Sequence, residues 1–300
     1  MKTALFLLKA AISVALVWYL SRKVSFAEAA SHFSGLRIVP ALAAFLLLAL
    51  SLALSALRWH HAAGGLVSLP SCLRFTWVGQ LYAHVLPGVL SADVAKGVVM
   101  TTTNASNSGR ALSASIVLDR VAGVGSLVVF GLLSSLARPG WLPVSGGWLV
   151  GFALLGTIGL LALPGALARL LPRFAISNRS WLIVLLLSCV IQVVNVTFYH
   201  VSLIAVGGRE TWWEMGLYTC VLNLAMLLPV SIGGIGLREQ IAVSLFQSSA
   251  NAPVQIAFAW LVLFLSLVHA LIGLGLHWSG GGRERAAEAV ETSGARVPVK

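Results

Sequence analysis

The 300-residue chain is 58% hydrophobic and 10% charged, with a mean hydropathy of +0.93, whereas a soluble domain carries about one quarter charged residues. That composition excludes an ordinary water-facing surface and leaves no room for a soluble catalytic domain. The formal charge of +11 comes from 20 Lys and Arg against 9 acids, and the bases fall mostly between apolar runs, a pattern that suits anionic headgroups better than nucleic acid.

Roughly 20 apolar residues suffice to cross a hydrocarbon core about 30 Å thick. Eight hydrophobic segments meet or approach this: Ala4 to Leu20, Ile38 to Leu57, Thr76 to Leu90, Ala111 to Leu136, Trp148 to Leu163, Trp181 to Val206, Glu214 to Leu228 and Val254 to His277. The first reads as an uncleaved span rather than a signal peptide. Lys9 interrupts it, Trp18 and Tyr19 suit an interfacial belt, and Arg22-Lys23 would stop transfer. Phe26 to Leu36 mixes polar and apolar residues and is expected to lie as an interfacial helix. Arg58 and Trp59, with His60 and His61, are expected at headgroup level after the second span.

The third and seventh segments are short, and each ends in Leu-Pro before a small-residue turn (Leu86-Pro87, Leu228-Pro229). Aligning the prolines also aligns Lys96 with Arg238, each nine positions beyond its proline. With three full spans between them, the two elements suggest an inverted repeat, and paired Pro/Gly-interrupted segments point to a transporter's binding site. The expected fold is an all-α polytopic membrane protein of about six full spans plus two Pro/Gly-broken helical elements, either re-entrant or fully spanning. Residues 1–279 form the membrane domain, and 280–300 a polar tail without apolar period, expected to be disordered. Loop charge predicts cytoplasmic termini, although Arg22, Lys23 and Arg37 then fall outside.

Asp93, Asp119 and Glu239 lie within or beside apolar segments, where ionisable groups are expensive and usually paired or functional. Each has a base nearby: Lys96, Arg120 and Arg238. Adjacent helical residues point about 100° apart, so Asp119 and Arg120 must each find partners elsewhere, with Lys96 or Arg238 the expected partner of Asp119. The run Pro229 to Gln240 holds Ser231, Gly233, Gly234 and Gly236 before Arg238 and Glu239. A helix restarting near Gly236 would present free amides and its positive end to an anion, with Arg238 alongside. A lipid phosphate fits such a site, with Lys96 as a second cation. Close helix packing is the competing role for the glycines, and charge neutralisation for insertion the competing role for the acids.

His84 reads as a packed or interfacial histidine. Gln192, Asn195 and Asn223 read as interhelical hydrogen-bond formers, and Cys72, Cys189 and Cys220 as buried small hydrophobes without metal-ligand spacing. Neither a metal nor a cofactor is implied, and there is no P-loop for direct ATP coupling.

At these residues the chain resembles the flippase-like membrane region of lysylphosphatidylglycerol synthases and its stand-alone homologues. The resemblance rests on Arg58-Trp59, on Pro87-Gly88 with Asp93 and Lys96, on Asp119-Arg120, and most specifically on Pro-x-Ser-x-Gly-Gly-x-Gly-x-Arg-Glu from Pro229 to Glu239. Where the family reads Gly-Gly-Asp-x-x-Arg, this chain has Ser91-Ala92-Asp93-Val94-Ala95-Lys96, which replaces a bidentate fork by a point charge. The resemblance implies the lipid-translocating part alone, without lysyl transfer, in a bacterial cytoplasmic membrane. Phospholipids, glycolipids and polyprenyl-phosphate carriers are the candidate substrates it implies. Two other classes stay open: a non-transporting subunit that scaffolds envelope-biosynthesis enzymes, and an intramembrane enzyme, for which no catalytic motif is present.

Overall fold

The computed structural model describes residues 13–22, 24–64, 66–85, 109–136, 146–170, 176–227, 231, 233–246 and 252–292, with side chains left aside at 109–113, 167–170 and 280–292. Lys96 and Asp93 lie outside these residues, as does the second arm of the first broken element. Among the described residues there are ten helices and no strand. They are α1 (13–22), α2 (Phe26–Ser31), α3 (Ile38–Ala62), α4 (Leu69–Val85), α5 (Gly109–Ser135), α6 (Gly146–Leu170), α7 (Asn178–Ala205), α8 (Trp212–Leu227), α9 (Leu237–Leu245) and α10 (Ala252–Thr292). Five of these helices, α3, α5, α6, α7 and α10, contain stretches long and apolar enough to cross a membrane. The chain is an all-α, multi-pass membrane protein.

The boundaries follow local chemistry. Ser25 caps α2, its Oγ accepting from the Glu28 N–H, and Ser177 caps α7 in the same way through Ser180. Pro70 falls in the first turn of α4, where its missing N–H leaves no hydrogen bond unmade. Pro164 lies inside α6, so that helix runs to Leu170, past the end its hydropathy suggested. Membrane helices tolerate such a proline because neighbouring groups satisfy the released carbonyl.

Two expectations are corrected. α10 continues as a helix to Thr292, so much of the polar tail is helical. Its sequence from Arg283 to Glu291 is rich in Arg, Glu and Ala, all strong helix formers, and the membrane span supplies the nucleus that an isolated tail would lack. Cys189 is exposed on α7 while Cys72 and Cys220 are buried; an exposed face of a membrane span meets lipid, and a thiol is apolar enough to sit there. α2 lies against α10 as well as at the periphery, with Ala29 fully buried beside Ile256 and Phe26 edge-on to Trp260 at 5.5 Å.

α3 and α7 make the most extensive helix pair, and α4 packs along α10. The main core gathers Leu48 of α3, Tyr199 and Leu203 of α7, Tyr218 and Leu222 of α8, Phe246 at the end of α9 and Phe258 of α10. α6 packs chiefly on α5 and keeps Phe152, Leu155 and Ile158 outward. The second broken element is seen directly: α8 spans 16 residues and α9 nine. At 1.5 Å per residue α8 is roughly 24 Å long, short of the hydrocarbon core of about 30 Å.

Candidate functional site

The second span carries its arginine inward. Arg58 of α3 grips Asp119 of α5 with two parallel contacts, Nε to Oδ1 at 2.7 Å and Nη2 to Oδ2 at 3.2 Å. Its third nitrogen, Nη1, donates to Ser188 Oγ of α7 at 3.3 Å, and that hydroxyl donates to the Val184 carbonyl. The guanidinium lies against Gly123, one turn beyond Asp119, where an added Cβ would stand 2.9 Å from Nη1. Arg58 is 8% and Trp59 2% exposed, and Trp59 Nε1 donates to Ser115 Oγ at 3.3 Å. The expected headgroup-level anchoring by Arg58 and Trp59 is therefore corrected. An acid on the facing helix makes burial of the guanidinium feasible, and a small polar residue does the same for the indole.

Asp119 thus finds Arg58 rather than Arg238. Because its neighbour projects about 100° away, Arg120 is aimed elsewhere, into a cavity of about 300 Å³ enclosed by α3, α4, α5, α7, α8, α9 and α10. Arg58, Arg120 and Arg238 all line this cavity, with His84 and the amides of Gln80, Gln192, Asn195 and Asn223. Among the described residues no carboxylate lines it. The volume is at the lower end for a small-molecule site, sized for a headgroup rather than a whole lipid.

The amides are held in defined orientations. Gln192 Nε2 donates to the Gly123 carbonyl and to Ser126 Oγ, both at 3.2 Å. Asn195 Oδ1 accepts from Ser51 Oγ of α3. These two are interhelical, as expected, but Asn223 Nδ2 donates within its own helix to the Thr219 carbonyl at 2.8 Å. His84 is both packed and on the cavity wall. Its Nδ1 donates to the Gln80 carbonyl at 2.9 Å, and its Nε2 meets Ser266 Oγ at 3.2 Å.

Arg238 reaches the cavity through the glycine turn. Gly234 and Gly236 sit at φ +80° and +82°, a region that residues with a Cβ rarely enter, in the turn that leads into α9. α9 does restart after Gly236, and two amides at its start are engaged within the turn. The Glu239 carboxylate reaches back to accept the Gly236 N–H at 2.9 Å, and the Arg238 N–H bonds the Gly234 carbonyl. Gly236 packs against Ser13 and Leu16 of α1, Gly234 against Met226 and the Arg238 side chain, and Gly233 faces His84. Ser231 is buried, and neither it nor Gly233, Gly234 or Gly236 lines the cavity. Among the described residues these four sit in the turn and its packing, beside Arg238, which does line the cavity. Glu239 closes the turn.

Arg238 is 8% exposed, makes no ion pair among the described residues, and keeps its Nε buried without a hydrogen-bond partner. A buried donor left unsatisfied costs about 1–3 kcal/mol, more when charged.

Sequence reasoning missed Gln80, Ser55 and Tyr199 as wall residues and took Gln192, Asn195 and Asn223 as helix glue alone. A signal was present. Ser51, Ser55 and Arg58 recur at helical spacing on α3, and Ser188, Gln192, Asn195 and Tyr199 do so on α7, so each helix carries a polar stripe within an apolar run.

No curated protein matches the sequence. A family model does, that of the lysylphosphatidylglycerol synthase TM region, over residues 6–273. This range takes in every residue that lines the cavity, and the chain belongs to the lysylphosphatidylglycerol synthase TM region family.

Proposed function

We propose that the protein is a lipid translocator that takes the anionic headgroup of a phospholipid, glycolipid or polyprenyl-phosphate carrier into the arginine-lined cavity while the tails stay in the bilayer. One observation carries this reading: three arginines line one cavity, and one of them, Arg238, has no ion-pair partner among the described residues. A buried cation such as Arg238 is expensive inside a membrane and marks a substrate pathway, and a phosphate oxygen is the acceptor that a guanidinium fits best. Arg58, neutralised by Asp119, shapes the wall, while Arg120 and Arg238 meet the phosphate. In this reading the chain performs no chemistry on the lipid. It lies in a bacterial cytoplasmic membrane with both termini inside, and it works beside envelope-biosynthesis enzymes.

The test is to purify wild type, Arg238→Ala and an exposed control, Arg22→Ala, in a mild detergent and to identify retained lipids by mass spectrometry. Enrichment of one anionic lipid in wild type and control, lost in Arg238→Ala, is expected, and that lipid then enters a liposome translocation assay. Equal, unselective lipid in all three would remove the headgroup site and leave the scaffolding subunit as the better reading.

A further inference from the structure

The partners of His84 suit two protonation states. Its Nδ1 lies 2.9 Å from the Gln80 carbonyl; a carbonyl only accepts, so Nδ1 carries a proton whatever the charge of the ring. Its Nε2 lies 3.2 Å from Ser266 Oγ of α10, and the same hydroxyl reaches the Leu263 carbonyl at 2.8 Å. A hydroxyl offers one proton and two lone pairs. Against a neutral ring that proton points to Nε2; against an imidazolium, Nε2–H donates to Oγ and the hydroxyl proton turns to Leu263. Rotation about a single C–O bond therefore completes the hydrogen bonds of either state. His269, one turn farther along α10, has no such device. Its Nδ1 donates to the Leu265 carbonyl and its Nε2 is buried without a partner among the described residues, so a second proton there would find no acceptor.

His84 is half-buried, and both it and Ser266 line the cavity, which gives a proton its route to Nε2. It stands in the last turn of α4, where the helix end favours a cation. Gly233 of the other broken element faces it, an added Cβ lying 3.8 Å from Cδ2. The charge that acts on it is Arg238 of α9. From the remaining elements, Arg58 of α3 is neutralised by Asp119, Arg120 of α5 and Tyr199 of α7 share the cavity wall, and His269 turns its ring to Phe45 of α3. Without an anion, Arg238 opposes a second positive charge at His84. An anion beside Arg238 offsets that repulsion, so anion and proton each favour the binding of the other.

We infer that His84 is a proton-binding site in the cavity wall, and that, at the headgroup site proposed above on which this coupling rests, a proton enters as an anion arrives beside Arg238 and leaves as the anion departs. The step balances without a further reactant. A hydronium ion gives its proton to the Nε2 lone pair and leaves as water, an Nε2–H bond forms, and the Ser266 hydroxyl turns to Leu263. Anion binding thereby becomes pH-dependent, tighter in acid and weaker in alkali.

The experiment labels the histidine nitrogens of the full chain in detergent and follows them by NMR between about pH 5 and pH 8, with His84→Gln identifying the signal. The expected result is an Nδ1–H tautomer in alkali and protonation of Nε2 on acidification, at a pH that moves up when short-chain phosphatidylglycerol, whose single charge is constant over this range, is added. The dissociation constant of that lipid, read by calorimetry, should rise with pH by at most about tenfold per unit, the limit for one linked proton, and this dependence should be lost in His84→Gln. An Nε2–H tautomer, a His84 ring that does not titrate in this range, a titration that the lipid leaves unmoved, or an equal pH dependence in His84→Gln overturns the inference. If the lipid binds and Arg238→Gln weakens it, the headgroup reading survives any of those results. Lipid binding that is equal in wild type and Arg238→Gln overturns the headgroup reading and the coupling, while proton uptake at His84 without lipid stands or falls on its own titration. Should His84→Gln fail to fold or to bind, Ser266→Ala identifies the signal through the loss of its Nε2 partner, and the wild-type titrations decide.

Discussion

Removing Asp119 should destabilise the protein far more than removing an exposed carboxylate. The Arg58–Asp119 pair has side-chain exposures of 9% and 15% and a short, two-point geometry. In Asp119→Ala the guanidinium keeps only the Ser188 hydroxyl at 3.3 Å among its side-chain partners seen here, while Gly123 presses on its other side. A buried pair broken from one side costs about 3–5 kcal/mol, because the remaining charge is uncompensated. At 1.4 kcal/mol per tenfold, that is a shift of more than about 100-fold in the unfolding equilibrium. Replacing both charges by side chains of similar bulk, Arg58→Met with Asp119→Leu, should recover most of the loss, since apolar substitutes for a buried pair are often neutral. Reversible unfolding in mixed micelles, read for wild type, Asp119→Ala, and the singles Arg58→Met and Asp119→Leu with their double, yields both the cost of the broken pair and the coupling energy. A cost below about 1 kcal/mol for Asp119→Ala, the range of surface pairs, or a double variant worse than either single, would refute the account of this pair as a buried, mutually required one.

The same unfolding assay tests the packing of α4 on α10. A Cβ added at Gly273 would overlap the Trp77 backbone carbonyl, whereas Gly275, on the same helix, has open space. Gly273→Ala should lose about 1–3 kcal/mol to overpacking, and Gly275→Ala should be neutral or gain up to about 1 kcal/mol from helix propensity; equal effects would show that the two helices do not approach as described. For Glu239, whose carboxylate accepts the Gly236 N–H, Glu239→Ala should cost about 1 kcal/mol, as for the loss of a capping acceptor. Glu239→Gln retains an acceptor and should keep both stability and lipid translocation in liposomes. Loss of translocation in a stable Glu239→Gln protein would instead assign the carboxyl group a proton-carrying role.

Helix number and place were largely legible because membrane spans advertise themselves by length and apolarity, and Leu228-Pro229 with its glycines marked the break between α8 and α9. Partner choice was not legible. Asp119 has several bases within reach on paper, and only the rotation of α3 against α5 selects Arg58. Trp59 next to an arginine at the end of an apolar run looks interfacial by composition, yet Ser115 on a neighbouring helix gives its N–H a buried partner. The glycine motif marked the element that carries Arg238, but not that Glu239, three residues after Gly236, would accept the Gly236 N–H. Proximity to Arg238 rather than direct contact with the glycines brings that element to the cavity.

The break and the charge depend on each other. Inside a membrane every backbone polar group needs an internal partner, so ending α8 after 16 residues and restarting a nine-residue α9 is feasible only if the turn closes on itself. Glu239 does this by accepting the Gly236 N–H, and the Gly234 carbonyl does it by accepting from Arg238. Using Glu239 in this way places a buried carboxylate next to a buried guanidinium in sequence but commits it to the backbone, so Arg238 gains a nearby negative charge without being tied up by it. Arg58, by contrast, is clamped by both oxygens of Asp119. Two arginines on one cavity wall therefore differ in kind. One is a fixed strut between three helices, and the other is a cation set at the wall by a glycine turn, with its Nε unpartnered among the described residues, the arrangement that the proposed anion site requires.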